Sequence, residues 1–64
     1  MRVNGQEKKL EESVTLAAFL KQERYEMVRI AVEQNGKIVP KSKYQSVQLS
    51  DADTLEIVHF VGGG

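Results

Sequence analysis

Two Asn-Gly pairs, Asn4-Gly5 and Asn35-Gly36, set the strongest limits on how this chain can fold. Asn-Gly most readily takes positive φ at both central positions of a type I′ turn, so each pair between strand-like residues predicts a hairpin. The first follows a short apolar start and precedes Lys8-Lys9-Leu10. The second reverses a stretch in which Val28, Ile30 and Val32 alternate with Arg29, Ala31 and Glu33, the two-residue period of a strand with one buried face. The return, Lys37-Ile38-Val39, ends at Pro40, which has no amide hydrogen to donate.

Between the hairpins lies one helix. Ser13 or Thr15 can cap its free amides, and Leu16, Phe19 and Leu20 recur at i, i+3, i+4. Polar residues from Gln22 to Glu26 end the stripe after about three turns. Past Pro40, residues 41–44 read as a polar turn in which Tyr44 covers the core edge. Val47 and Leu49 suit a short edge strand, and residues 50–53 a further turn. Residues 54–61 are the most strand-like segment, with Leu55, Ile57, His59 and Val61 on one side and Thr54, Glu56, Val58 and Phe60 on the other.

This order predicts an α+β fold of the β-grasp (ubiquitin-like) type, a mixed four- to five-stranded sheet packed on one main helix. The final strand should sit centrally beside the first, and a strand leaving the helix at Met27 should reach its partner by a crossover. The first strand, residues 1–4, is barely long enough to pair and is expected to fray. Residues 1–61 form the expected domain and residues 62–64 a flexible glycine tail.

Composition narrows the function. Sixty-four residues fit one core. With no cysteine there is no disulfide, thiolate metal site or cysteine nucleophile, which suits a reducing compartment. Nine Lys plus Arg balance nine Asp plus Glu along the chain, which argues against a nucleic-acid partner. No apolar run approaches the ~20 residues needed to cross a bilayer, and the start lacks a secretory signal; no membrane partner and a cytoplasmic location are expected.

Nothing resembles an active site, so no catalytic residue and no metal site are expected. His59, the one histidine, has no carboxylate at metal or dyad spacing and reads as a half-exposed strand residue. Glu11, Glu12, Asp51 and Asp53 read as solvated turn carboxylates. Ser13, Ser42, Ser46 and Ser50 lack a base, and no Gly-rich stretch precedes a helix.

The anomaly is the run into Gly62-Gly63-Gly64. It is either a frayed end or an arm. As an arm, residues without Cβ can thread a narrow channel, and three or four extended residues reach roughly 10 to 14 Å. The carboxylate at its tip is a poor electrophile and must be activated, for example by ATP as an acyl-adenylate, before sulfur or an amine can attack. Val58 and Phe60 face away from Leu55 and Ile57 beside this arm, which suggests a docking surface; one further core layer or scattered surface residues are the alternatives. Lys41 and Lys43 read as a solvated turn, with steering charge as the alternative.

The segments Ile30-Ala31-Val32-Glu33-Gln34-Asn35-Gly36-Lys37-Ile38-Val39-Pro40-Lys41-Ser42-Lys43-Tyr44, Asp51-Ala52-Asp53-Thr54-Leu55-Glu56-Ile57-Val58 and Phe60-Val61-Gly62-Gly63-Gly64 together resemble the ThiS family of thiamine-biosynthesis sulfur carriers. The resemblance covers essentially the whole chain. It implies that an E1-like (ThiF-like) enzyme adenylates the Gly64 carboxylate with ATP and magnesium, which belong to that partner; no cofactor is expected on this chain. Sulfur originating from cysteine, through a donor such as a cysteine desulfurase, would then give a thiocarboxylate on Gly64. A ThiG-like thiazole synthase would receive that sulfur. By the same resemblance Gly62 and Gly63 form the threading arm, and Glu56, Val58, Phe60 and Val61 the face that partners grip.

Two departures from the family pattern stand out. The first strand is short, and Ala52 lies between two aspartates where many relatives have glycine, which leaves the turn type open. Other function classes stay open beside this one: a sulfur carrier for molybdopterin or another pathway, a ubiquitin-like modifier conjugated through Gly64, or a passive interaction domain.

Overall fold

Both Asn-Gly pairs turn the chain with positive φ at each residue, 52° and 82° at Asn4 and Gly5, 53° and 84° at Asn35 and Gly36. In the computed structural model, which describes residues 1–60, the first joins β1 (Arg2–Val3) to β2 (Gln6–Glu7) and the second joins β3 (Ile30–Gln34) to β4 (Lys37–Ile38). With β5 (Thr54–His59) they make a five-stranded sheet in the order β2-β1-β5-β3-β4. The last strand is central beside the first, as anticipated. The crossover belongs to β5, which runs parallel to β1, whereas β3 meets β5 antiparallel.

The helix α1 (Leu16–Gln22) has seven residues, two turns rather than three. Thr15 is the cap, its Oγ1 accepting from the Ala18 amide at 3.1 Å, while the Ser13 hydroxyl donates to Gln48. Its other end closes early because Arg24 takes φ 64°. The Arg24 amide then bonds Lys21 O and the Tyr25 amide bonds Leu20 O, the paired closure usually built around glycine. A 3₁₀ turn, Met27–Arg29, follows and leaves Val28 75% exposed, so the buried alternation begins only at Ile30. Leu16, Phe19 and Leu20 of α1 bury against Ile30, Val32, Leu55 and Ile57 of the sheet, with Met1, Val39, Tyr44 and Leu49 closing the core. No helix among the described residues is long and apolar enough to cross a membrane.

Two further expectations are corrected. Val47 and Leu49 form no edge strand; the segment makes a single bridge, Gln48 to Thr15, because it bonds the residues that open α1, Leu49 N to Val14 O and Leu16 N to Val47 O. The start of the chain is not frayed, because the Met1 side chain is buried and the Arg2 and Asn4 amides bond Asp53 O and Leu55 O. Beyond β1 the Asn4 side chain takes over: Oδ1 accepts from the Ile57 amide at 2.7 Å and Nδ2 donates to Ile57 O at 3.2 Å.

Asp51 and Asp53 do more than face solvent. Asp51 accepts from the Leu10 amide at 2.8 Å and the Met1 ammonium at 3.2 Å. Asp53 accepts from Asn35 Nδ2 at 2.9 Å and the Ser50 amide at 2.8 Å, while Asn35 Oδ1 accepts from the Thr54 amide. Ala52 between them has no positive φ, so the turn tolerates its Cβ. The Leu10 amide, then the Met1 ammonium, hold the Asp51 carboxyl below its ordinary value. Burial alone would raise the Asp53 carboxyl, but the bonds from Asn35 and Ser50 together outweigh it and hold it low.

A carboxyl depressed in the folded state contributes stability that is complete above its unfolded pKa, about 3.9, and lost as pH falls through the folded value. The urea midpoint should therefore fall as pH drops below about 4, and less steeply in Asp53→Asn, whose overall stability is lower. Asn4→Ala should cost roughly 1–3 kcal/mol in denaturant unfolding, with Asn4→Gly recovering only the part due to φ.

Candidate functional site

The centre of the sheet is built by β5. Its alternation sends Leu55 and Ile57 into the core and leaves Val58 57% and Phe60 59% exposed, with Glu56 exposed beside them. The strand ladder persists one residue past β5, because the Phe60 amide donates to Arg29 O at 2.8 Å. Val58 and Phe60 are thus neither a further core layer nor scattered: they share the face of the sheet turned away from α1.

Register fills in the rest of that face. Ala31 lies opposite Val58, Glu33 opposite Glu56, and Ile38, 64% exposed, opposite Glu33 on the other side. Apolar groups from three adjacent strands therefore surround a directly opposed pair of carboxylates, an arrangement that costs stability unless something cationic meets it. Ile38 was open to sequence reasoning, since it precedes the buried Val39 and must point the other way.

His59 is exposed at the end of β5, its ring 5.6 Å from that of Tyr25 and tilted by 30°. No group of three or more His, Asp or Glu residues that could hold a metal ion occurs among the described residues. Glu11 and Glu12 are exposed in the connection between β2 and α1. Lys41 is more than a solvated turn residue: its Nζ donates to Met27 O at 2.7 Å and Ile30 O at 2.6 Å. Sequence reasoning missed this role; its one signal is the lysine directly after Pro40, where a strand loses its amide. Val61, Gly62, Gly63 and Gly64, the remaining residues singled out in the sequence, lie outside the described residues.

The ThiS family model matches residues 1–64. This chain belongs to the ThiS family. It is 38% identical over 65 residues to the sulfur carrier protein ThiS of Bacillus subtilis strain 168, a match covering 100% of this chain and 98% of that protein. It is also 45% identical over 62 residues to a thiazole synthase of Paramagnetospirillum magneticum; that match covers 97% of this chain but 19% of the enzyme, so the chain spans about a fifth of that relative. The crystal structure of a thiamine biosynthesis protein (ThiS) from Geobacter metallireducens is similar in fold, with a TM-score of 0.84 at 26% identity over 98% of this chain and 96% of that one. The β-grasp architecture is thus the ThiS architecture.

Because Val58 lies on the open face and Ile57 in the core, Val58→Lys should leave the free energy of unfolding, measured by denaturant titration, within about 0.5 kcal/mol of wild type. Ile57→Ala should lose roughly 2–4 kcal/mol in the same experiment.

Proposed function

We propose that Gly64 is where this ThiS-family sulfur carrier of thiamine biosynthesis holds its sulfur, as a C-terminal thiocarboxylate. The observation that carries the reading is the full-length match to a protein named as a sulfur carrier, with Gly62-Gly63-Gly64 two residues in sequence beyond the strand at the centre of the sheet. The chemistry follows from the carboxylate itself. Its charge is shared by two oxygens and repels nucleophiles, so a ThiF-like adenylating enzyme must first join it to the α-phosphorus of ATP, with magnesium, expelling pyrophosphate. A sulfur nucleophile then attacks the carbonyl carbon and AMP leaves.

The chain supplies reach and grip rather than catalysis. Gly62 and Gly63, lacking Cβ, suit passage through a narrow channel. Glu56, Val58 and Phe60, with Val61 next in sequence, suit the face that partners grip while the tip is inside them. The likeness to a thiazole synthase supports that class of enzyme as the acceptor of the sulfur. A cysteine desulfurase is the source that fits a chain with no cysteine of its own: its persulfide attacks through the outer sulfur, and a thiol outside this chain then reduces the resulting acyl disulfide, releasing the thiocarboxylate and leaving a disulfide.

Incubated with a ThiF-like enzyme, ATP, magnesium and sulfide, the chain should gain about 16 Da, the exchange of one oxygen for sulfur at the activated carbonyl. Removal of Gly63 and Gly64 should abolish the gain and leave the denaturation midpoint unchanged. A gain that survives this truncation, or a Gly64 found only in isopeptide linkage to lysine, would overturn the reading.

A further inference from the structure

The last described residue of the chain is held by a lysine that stands in for a missing strand residue. In the β3–β4 ladder Glu33 faces Ile38 and Gln34 faces Lys37, and the Val39 amide bonds Val32 O at 2.9 Å. Continued in that register, the amide of residue 41 would meet the carbonyl of Ile30. Pro40, at φ −62°, instead leads the chain into a 3₁₀ turn, Lys41–Lys43. The carbonyl keeps a partner nonetheless, because the Lys41 side chain returns to it: Nζ donates to Ile30 O at 2.6 Å and to Met27 O at 2.7 Å.

The same ammonium lies 5.7 Å from the ring centroid of buried Tyr44 and 5.6 Å from that of exposed Phe60. Two of its protons serve the carbonyls, and its charge faces two aromatic rings, an arrangement a neutral side chain does not reproduce. Phe60 is consequently tied to the Met27–Arg29 turn twice, by its own amide to Arg29 O and through Lys41 to Met27 O.

We propose that Lys41 is a positioning residue for the reaction at the C-terminus: it holds Phe60 in place beside the Met27–Arg29 turn, at the point where the chain leaves the sheet. The inference rests on the sulfur-carrier reading. The Met27 carbonyl is exposed and the Ile30 carbonyl part-buried, so removing the lysine costs some stability while Phe60 loses its cationic neighbour. An exit no longer held must be ordered each time a partner takes the chain in, so the loss falls on association and not on the chemical step.

Lys41→Met keeps the stem and removes the cation; Lys41→Arg keeps a cation with donors for both carbonyls. With circular dichroism showing each variant folded, pyrophosphate release by a ThiF-like enzyme with ATP and magnesium gives KM and kcat for the carrier. Lys41→Met should raise KM about three- to tenfold with kcat within about twofold, and Lys41→Arg should return KM near wild type. Phe60→Leu should also raise KM, and Lys41→Met should add little in that background, because both changes remove one contact. An unchanged KM in folded Lys41→Met, or effects of the two changes that multiply, would overturn the inference while the sulfur-carrier reading stands. A wild-type chain that is never adenylated would overturn that reading and this inference with it.

Discussion

Hydrogen bonding of β5 from both sides, by β1 and by β3, holds the sheet together. Of the two neighbours of β5, β3 pairs with it over five residues, but β1 has only two, and the flanking β2 and β4 have two each. Side chains continue the ladder where backbone runs out. The Asn4 amide satisfies both polar groups of Ile57, the Asn35 amide satisfies the Thr54 N–H, and the Lys41 ammonium satisfies Ile30 O at the far edge of β3. Buried or half-buried backbone groups left without partners would each cost on the order of 1–3 kcal/mol, a large share of what a domain this small has to spare.

The same economy explains the division of the sheet into two faces. One short helix covers only one of them, and the core it closes uses nearly all the large apolar side chains. The open face keeps Ile38, Ala31, Val58 and Phe60 around the opposed Glu33 and Glu56, a surface suited to a partner that brings both apolar area and a cation. The central strand carries Val58 on that face, and Phe60 follows directly on its end.

Much of this was legible in the sequence because it depends on local pattern. Asn-Gly dictates its turn almost alone, and the alternation of residues 54–60 assigns Leu55 and Ile57 inward and Val58 and Phe60 outward whatever the neighbours. The features that escaped depend on contacts distant in the chain or on residues adopting uncommon conformations. Arg24 in the left-handed region ends α1 a turn early, and nothing about arginine announces it. Val28 fits the strand period but is spent on the 3₁₀ turn needed after that early stop. Asp51 and Asp53 look like ordinary turn residues until the fold brings Leu10 and Asn35 to them. Ala52, which marked the turn as open, proved compatible with a conformation lacking positive φ.

In the proposed function the folded body is a holder, and the reacting atom is the sulfur carried on Gly64. Transfer of label tests it most directly. The chain bearing a thiocarboxylate of heavy sulfur at Gly64 is mixed with thiazole synthase and its unlabelled substrates for a single turnover, and product and carrier are weighed by mass spectrometry. Heavy sulfur in the thiazole ring, with the carrier returned as an ordinary carboxylate, is the predicted result. Thiazole formed with light sulfur while the carrier keeps its label would contradict it.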